Sequence, residues 1–255
     1  YDFFNPVFDQ SIDSIGGWLD VNSRQNIIFG HVPFNFKWYM FLICQFLDDF
    51  NYYWYHRASH EVRLLWAAHI VHHSSDNYNL GTAIRNGWVT LFYKPLFWLW
   101  LPMLGFHPVM VSICLGVQAL WQFQLHSKFV PYLGFLEIFM NTHKQHQAHH
   151  SSNIEYLDTN HGGYLNLFDR VFGTHKVLDE KNIETKYGVL HPPNSYNPVV
   201  IVSHEYRDIY KDVKQSKSVK EAWMHVFGPP GWSPDGSRLT AKQMQKQLEV
   251  EKIKD

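Results

Sequence analysis

Three apolar runs in the first half of the chain predict long helices. They cover residues 37–55, 88–106 and 108–125, and each is 18 or 19 residues long. At about 1.5 Å of rise per residue, such a helix approaches the ~30 Å thickness of the hydrocarbon core of a membrane. Only a short turn around Gly105 separates the second and third runs. We therefore expect residues 88–125 to form a helical hairpin that enters a membrane.

The alternative is that the runs are buried helices of a soluble protein. The mean hydropathy of −0.28 favours this alternative. The membrane interpretation is favoured by the hairpin, in which Lys94 is the only charge within 88–106 and no charge lies within 108–125. The sequence thus predicts an all-α fold, with one or more membrane helical hairpins and a helical cap of the cytosolic type.

The remaining segments complete this single-domain prediction for residues 1–255. Residues 1–36 have the mixed composition of loops and short amphipathic pieces, and because the chain begins at Tyr1 we expect an upstream segment. Residues 126–255 are polar and hold turn clusters, and we interpret 176–255 as a C-terminal extension of the cap. The charged stretch 239–255 predicts a solvated or frayed helix.

Composition narrows the classes of function. The chain has 22 Lys and Arg against 23 Asp and Glu, which gives no basic surface for nucleic acid. Aromatic residues make up 17 % of the chain, as is typical of proteins with Trp and Tyr at a membrane boundary. Cys44 and Cys114 lie in apolar runs and are interpreted as small buried side chains without a disulfide. The 17 histidines remain to be explained, and they indicate a site.

Eight of these histidines form three groups with helical spacing. Residues three or four positions apart share a face of a helix, so each group aims its imidazoles in one direction. The groups are His56 and His60; His69, His72 and His73; and His146, His149 and His150. Eight imidazoles exceed the four to six ligands of a single ion, so the pattern predicts two metal ions. Arg57 follows His56, which removes the general base of an H-E-x-x-H zinc protease.

Topology and helical phase suggest how the groups meet. A hairpin returns the chain to the side from which it left, which brings His126 and the third group back to the first two. Asp49 shares the helical face of His56 and His60, so it is either an acceptor for an imidazole N–H or is paired elsewhere.

The phase also makes two predictions about the helices themselves. Gln118, Gln122 and His126 form a polar stripe that should face protein or a cavity rather than lipid. His60 and His69 would point apart on one straight helix, so we expect a break between Glu61 and Trp66.

These motifs resemble the fatty acid hydroxylase / sterol desaturase superfamily of membrane di-iron enzymes. The resemblance is carried by H-x-x-x-H, two H-x-x-H-H motifs and an added histidine, and it extends from about Asp48 to His175. Within the superfamily, NYNLGTAIR and FGPPGWSPDG make the chain most similar to the alkylglycerol monooxygenase group. The implied metal ligands are His56, His60, His69, His72, His73, His126, His146, His149 and His150.

The resemblance implies two ferrous ions that activate O2 and remove hydrogen from a C–H bond of a lipid-like substrate. It also implies an external electron donor, either tetrahydrobiopterin or a redox protein, because no nucleotide or flavin motif is visible. The expected location is the endoplasmic reticulum of a eukaryote or the inner membrane of a bacterium. A sterol or fatty acid desaturase or hydroxylase of the same superfamily, a metal-dependent hydrolase, and a non-catalytic histidine-rich metal-binding or transport protein remain alternatives.

The chain departs from the family pattern at three positions near the third group. His143 is additional, Gln145 replaces a histidine, and His161 stands where an aromatic residue is usual. His143 and His161 are either exposed or at the substrate entrance, or they support the metals as an outer-shell partner or a replacement ligand. For His161 the interpretation as an exposed or entrance-lining residue is preferred, whereas for His143 neither interpretation is favoured.

Overall fold

The computed structural model describes residues 37–254, which form eleven α-helices and two short 3-10 helices. This part of the chain contains no β-strand, only two isolated bridges, which confirms the all-α prediction. The α-helices are α1 (Trp38–Glu61), α2 (Arg63–His73), α3 (Leu80–Ala83), α4 (Thr90–Trp98), α5 (Trp100–Leu104), α6 (Pro108–Leu125), α7 (His143–His149), α8 (Leu167–Val171), α9 (Pro198–Gln215), α10 (Val219–Phe227) and α11 (Ala241–Lys254). The 3-10 helices are Gly134–Ile138 and Ile154–Tyr156.

A single extended residue separates the first two helices. Val62 has φ −112° and ψ 114°, so α1 ends at Glu61 and α2 begins at Arg63. The expected break between Glu61 and Trp66 is therefore confirmed. It allows histidines on α1 and α2 to face the same space.

The hairpin turn closes on Gly105, which has a left-handed φ of 110° that favours glycine. The run at 88–106 is not one continuous helix, because it forms α4 and α5 of 9 and 5 residues. Pro95 and Pro102 lie in these helices, and each lacks the N–H that an uninterrupted helix requires. Among the described residues, α6 is the one helix that is long and apolar enough to cross a membrane.

The core between α1, α4, α5 and α6 combines apolar packing with satisfied polar groups. The indole of Trp98 donates a hydrogen bond of 2.6 Å to Asp48, and that of Trp100 donates one of 2.8 Å to Asn51. Two polar side chains of α1 are thereby accommodated in an apolar environment. Cys44 and Cys114 are both free and fully buried in the same core, as the sequence predicted.

The outer surface of these helices is apolar. A set of large side chains on α1, α4, α5 and α6 exposes between 57 and 80 % of their area: Leu42, Leu91, Phe92, Leu96, Met103 and Leu120. Monomeric soluble proteins rarely expose contiguous apolar surface of this kind. The polar stripe of α6 lies on the inner side, since Gln118 and His126 are 2 % exposed and Gln122 is 9 % exposed, which confirms that prediction.

The C-terminal helices are fastened to α2 by one buried arginine. Arg63 is 4 % exposed and donates hydrogen bonds of 2.7 Å to Glu205 and 2.5 Å to Asp212, both on α9. A buried charge is strongly destabilising unless it has a partner, and these charge-assisted bonds give the guanidinium of Arg63 two carboxylate partners. The end of the chain also packs: Gln245 of α11 donates to the carbonyl oxygens of Ile154 and Leu157, so this helix is docked rather than only solvated.

Residues 160–166 thread between α1 and α6. The carboxylate of Asp49 accepts hydrogen bonds from the backbone N–H groups of Tyr164 (2.6 Å) and Leu165 (3.2 Å). Of the two interpretations of Asp49, the structure supports the one in which it is paired elsewhere, because its oxygens accept from two backbone donors. A Cβ at Gly163 would collide with the side chains of Gln118 and Asp49, so only glycine fits between the two helices.

We predict that Gly163→Ala destabilises the chain, because the added methyl group overpacks a buried polar contact. The expected loss is about 1–3 kcal/mol, or roughly 3–10 °C in Tm. Thermal unfolding in detergent measures it. Gly116→Ala on α6 is the matched control, because its Cβ would have no heavy atom within 4 Å, and it should leave the Tm unchanged or slightly raised. Equal Tm values for the two variants would contradict this packing argument.

Candidate metal centre

The nine histidines singled out in the sequence converge in two adjacent groups. Within each group the ring nitrogens lie within 4.8 Å of one another. Each of these side chains exposes at most 8 % of its surface. The first histidine group is His56, His60, His69, His73 and His149, and the second histidine group is His72, His126, His146 and His150.

Single helices contribute to both groups. On α2, His69 and His73 are four residues apart and point to the first group, whereas His72 points to the second. The segment that starts with α7 divides likewise, with His149 in the first group and His146 in the second. Neighbouring residues of a helix differ by about 100°, so one H-x-x-H-H motif can serve two adjacent centres. The sequence predicted the shared face but not this division.

The outer nitrogen of several rings is held by an oxygen behind it. Distances from Nδ1 to a backbone carbonyl oxygen range from 2.7 to 3.1 Å for the pairs His149–Thr159, His126–Gln122, His56–His161 and His72–Arg85. The Nδ1 of His60 lies 3.3 Å from a carboxylate oxygen of Asp158. A carbonyl oxygen can only accept, so each of the four rings donates from Nδ1 and keeps a lone pair on Nε2.

The inner nitrogens then face one another as acceptors. The Nε2 atoms of His72 and His126 are 3.3 Å apart although both carry lone pairs, and His126 Nε2 also lies 3.0 Å from that of His150. The Nε2 atoms of His60 and His149 are buried with no hydrogen-bond partner in residues 37–254. Two acceptors cannot satisfy each other, and a cation placed between them would satisfy both.

The spacing fits a metal ion. Two nitrogens that are each ~2.1 Å from one ion stand about 3.0 Å apart at a right angle and about 3.4 Å apart at the tetrahedral angle. In the first group, the Nε2 of His69 lies 3.1 Å from that of His56 and 3.3 Å from that of His73. Both groups could therefore hold a metal, and imidazole ligands suit Zn, Cu, Fe and Ni.

Burial keeps the rings neutral and therefore able to bind a metal. Loss of hydration lowers the pKa of His72 to about 4 and that of His149 to about 3. Burial also holds the pKa of His73 and His150 well below the usual value, with neighbouring histidines as a further cause. At neutral pH no proton competes for these nitrogens.

The two additional histidines have different surroundings. His161 is fully buried, so its interpretation as an exposed residue is wrong, and its ring centroid lies 5.0 Å from that of His60. His143 is 7 % exposed, so the exposed interpretation is wrong for it as well, and its ring lies in neither histidine group. Asp158 was missed, because it follows a turn whose residues show no periodicity.

A cavity of about 460 Å³ reaches the first histidine group. His60, His73 and His149 line its inner end. Its walls are largely apolar and come from α2, the segments 151–158 and 188–191, and residues 230–244; they include Trp66, Ile70, Leu157, Val189, Leu190, Leu239 and Met244. A concave apolar space that ends at a few polar groups is the usual form of a small-molecule site.

We predict that the metal-free chain loses stability as the pH falls below about 6.5. The unfolded chain protonates its histidines near that pH, whereas the folded chain keeps them neutral, so the unfolded state binds more protons there. Each pH unit below 6.5 should lower the free energy of unfolding by up to about 1.4 kcal/mol for every histidine that stays neutral in the folded chain. Thermal unfolding of chelator-treated protein at pH 7.5 and 5.5 measures the effect.

The matched comparison for this prediction is His149→Gln, which removes one buried imidazole. Its Tm should fall less steeply between the two pH values than that of the unmodified chain. A metal-free Tm that is the same at both pH values would contradict the assignment of neutral buried rings.

Comparison with known proteins agrees with the motifs and the geometry. The chain is 36 % identical to the human alkylglycerol monooxygenase over 198 residues, which is 75 % of this chain and 42 % of that protein. It is 34 % identical to the Danio rerio alkylglycerol monooxygenase over 222 residues, 84 % of this chain and 47 % of the relative. It is 31 % identical to the ornithine lipid hydroxylase OlsE of Rhizobium tropici over 130 residues, 50 % of this chain and 39 % of that protein.

The chain spans less than half the length of the alkylglycerol monooxygenases described above. No solved structure matches the chain. The model of the fatty acid hydroxylase family matches residues 41–174, which include all nine histidines of the two groups. The chain belongs to the fatty acid hydroxylase family.

Proposed function

We propose that the chain carries the di-iron centre of a membrane oxygenase that uses O2 to hydroxylate a C–H bond of a lipid-like substrate. The observation that carries the proposal is the pair of buried histidine groups, in which inner ring nitrogens lie 3.0 to 3.3 Å apart. Alkylglycerol monooxygenases are among the relatives, so an ether lipid is the first substrate to test. Hydroxylation next to the ether oxygen gives a hemiacetal, which breaks down and cleaves the ether.

When bound, two ferrous ions would supply activation of O2 and the oxidising power that an unactivated C–H bond requires. The first histidine group would hold one ion and the second would hold the other. The carbonyl oxygens of Thr159, Arg85 and Gln122 would fix the ring orientations from behind. Such outer contacts fix the tautomer and raise the basicity of the ligand.

The apolar cavity would hold the part of the lipid that reacts. Its inner end is formed by three rings of the first group, and its apolar walls would exclude water from the reacting carbon. The electrons would come from outside the chain, from tetrahydrobiopterin or a redox protein. The apolar outer surface of α4 to α6 supports a location in the membrane, of the endoplasmic reticulum in a eukaryote or the inner membrane in a bacterium.

Three alternatives predict different assay results. A sterol or fatty acid desaturase or hydroxylase of the same superfamily would use O2 with a different lipid. A metal-dependent hydrolase would act without O2, and a non-catalytic metal-binding protein would bind metal without consuming O2. An O2-consumption assay with ether lipids, sterols and fatty acids separates them.

We predict that His72→Ala and His149→Ala each lower the iron content from about two to about one per chain. Each variant should also reduce O2-dependent lipid oxidation by at least about 100-fold, because loss of an outer partner alone costs 10- to 100-fold. Elemental analysis and the O2 assay measure the two effects. His204→Ala, a buried histidine on α9 outside both groups, is the control and should retain both ions. An unmodified chain that never holds more than one ion would refute the di-metal proposal.

We predict that Leu239→Trp, which narrows the cavity, lowers kcat/KM for a long-chain ether lipid by about 10- to 200-fold. A shorter-chain substrate should be affected less, because it needs less of the cavity. Val219→Trp is the control, because Val219 is 87 % exposed on α10 and does not line the cavity. A variant with unchanged lipid kinetics but a raised KM for the reductant would assign the cavity to the reductant instead.

A further inference from the structure

The ring of His161 is buried beside the first histidine group without a hydrogen bond. The residue is 0 % exposed, and neither Nδ1 nor Nε2 has a partner in the described part of the chain. A buried polar group normally has at least one partner, and an imidazole offers one donor and one acceptor. Apart from a weak polar contact with the backbone of Asp158, both nitrogens are unpaired, so the ring can take a further partner at this position.

Its neighbours are proposed metal ligands. The centroid of the His161 ring lies 5.0 Å from that of His60, 5.5 Å from that of His56 and 5.7 Å from that of His149. Ring pairs inside the first group are separated by similar distances, such as 5.0 Å between His56 and His69. The ring therefore borders the first group on the side of α1 and α7.

Hydrogen bonds fix the backbone around His161, whereas the ring itself is not held in this way. Its N–H donates to Asp169 at 2.7 Å, and its carbonyl oxygen accepts from Nδ1 of His56 at 3.0 Å. The next residue, Gly162, donates to the other oxygen of Asp169 at 2.7 Å. Asn160 precedes it with a left-handed φ of 55°. These contacts hold the Cα in place and leave only the side-chain torsions free.

We propose that His161 is a further metal ligand of the first histidine group. The assignment rests on the proposed metal centre, and it adds an imidazole on the side of His56, His60 and His149. His161 is not among the five residues whose nitrogens lie within 4.8 Å of one another, so ligation requires rotation of its ring. No well-formed hydrogen bond opposes that rotation, because the ring makes only a weak polar contact with the backbone of Asp158.

A simpler role would be that of an aromatic spacer. The ring meets that of Tyr53 edge-on at 6.2 Å, and the family pattern that the sequence resembles has an aromatic residue at this position. The two roles predict opposite consequences when the nitrogens are removed and the shape is kept. A spacer is replaced by phenylalanine without loss of metal affinity, whereas a ligand is not.

The test compares His161→Phe with the unmodified chain in detergent, both without metal and loaded with Zn²⁺. The backbone carbonyl that holds His56 is retained in the variant, so the experiment isolates the ring. Without metal, the Tm of the variant should equal or exceed that of the unmodified chain, because two unsatisfied buried nitrogens are removed. With Zn²⁺, chelator competition should show at least about 10-fold weaker binding of one of the two ions and a smaller rise in Tm.

Two further variants make the outcome decisive. His161→Leu, which is closer in volume, should behave like His161→Phe, and it serves if phenylalanine prevents folding. His204→Phe should leave both zinc affinities unchanged. Unchanged affinity for both ions in His161→Phe or His161→Leu overturns the proposal and leaves the metal centre standing. An unmodified chain that binds no zinc refutes the metal centre itself.

Discussion

Everything in this structure depends on holding neutral imidazole rings so that their unprotonated nitrogens face one another. Such an arrangement is unfavourable unless a further group lies between the rings, because buried acceptors face one another. The chain stabilises it from behind, where carbonyl oxygens of Thr159, Gln122 and Arg85 accept the outer N–H of a ring. The oxygens come from backbone that other contacts fix, so the orientation of each ring is set before a metal binds.

The surrounding fold serves this requirement. The extended residue Val62 turns α2 relative to α1, so that histidines of both helices face one space. Helix α6 carries the chain back to this space and ends at Leu125, so that His126 follows directly after it. The carboxylates of Asp49 and Asp169 accept backbone N–H groups on either side of Gly162 and Gly163, and this fixes the segment that lies against the rings. The arrangement of the two histidine groups thus depends on contacts between residues more than 100 positions apart in sequence.

Much of the site could be predicted from the sequence, because ligand spacing on a helix follows from 100° per residue. Spacing also located the break after α1 and the buried stripe on α6. Spacing could not show that His72 belongs to a different histidine group from His69 and His73, because that division depends on where α7 lies. The donors to Asp49 stayed open for a similar reason: the phase of a helix shows which way a carboxylate points, but not whether an imidazole or another donor reaches it.

No periodic pattern in the sequence indicated the cavity or the carbonyl oxygens that hold the outer ring nitrogens. They are formed by turn segments such as 188–191 and by carbonyl groups, which any residue type supplies. The two arms of the hairpin look alike in hydropathy, yet Pro95 and Pro102 interrupt one of them and leave the other intact. The prolines therefore determined the helix lengths in the hairpin, whereas the all-α fold class could be predicted from the apolar runs.

The buried Arg63 has a consequence for the order of events during synthesis. Its partner Glu205 lies 142 residues later in the chain. A ribosome that adds about 5–20 residues per second needs roughly 7–30 s to make that stretch. Until then the guanidinium at the start of α2 has no carboxylate from α9, and the helix that carries His69, His72 and His73 lacks its C-terminal anchor. A nascent chain that stops before α9 therefore holds these histidines without the ion pairs that fix the start of their helix.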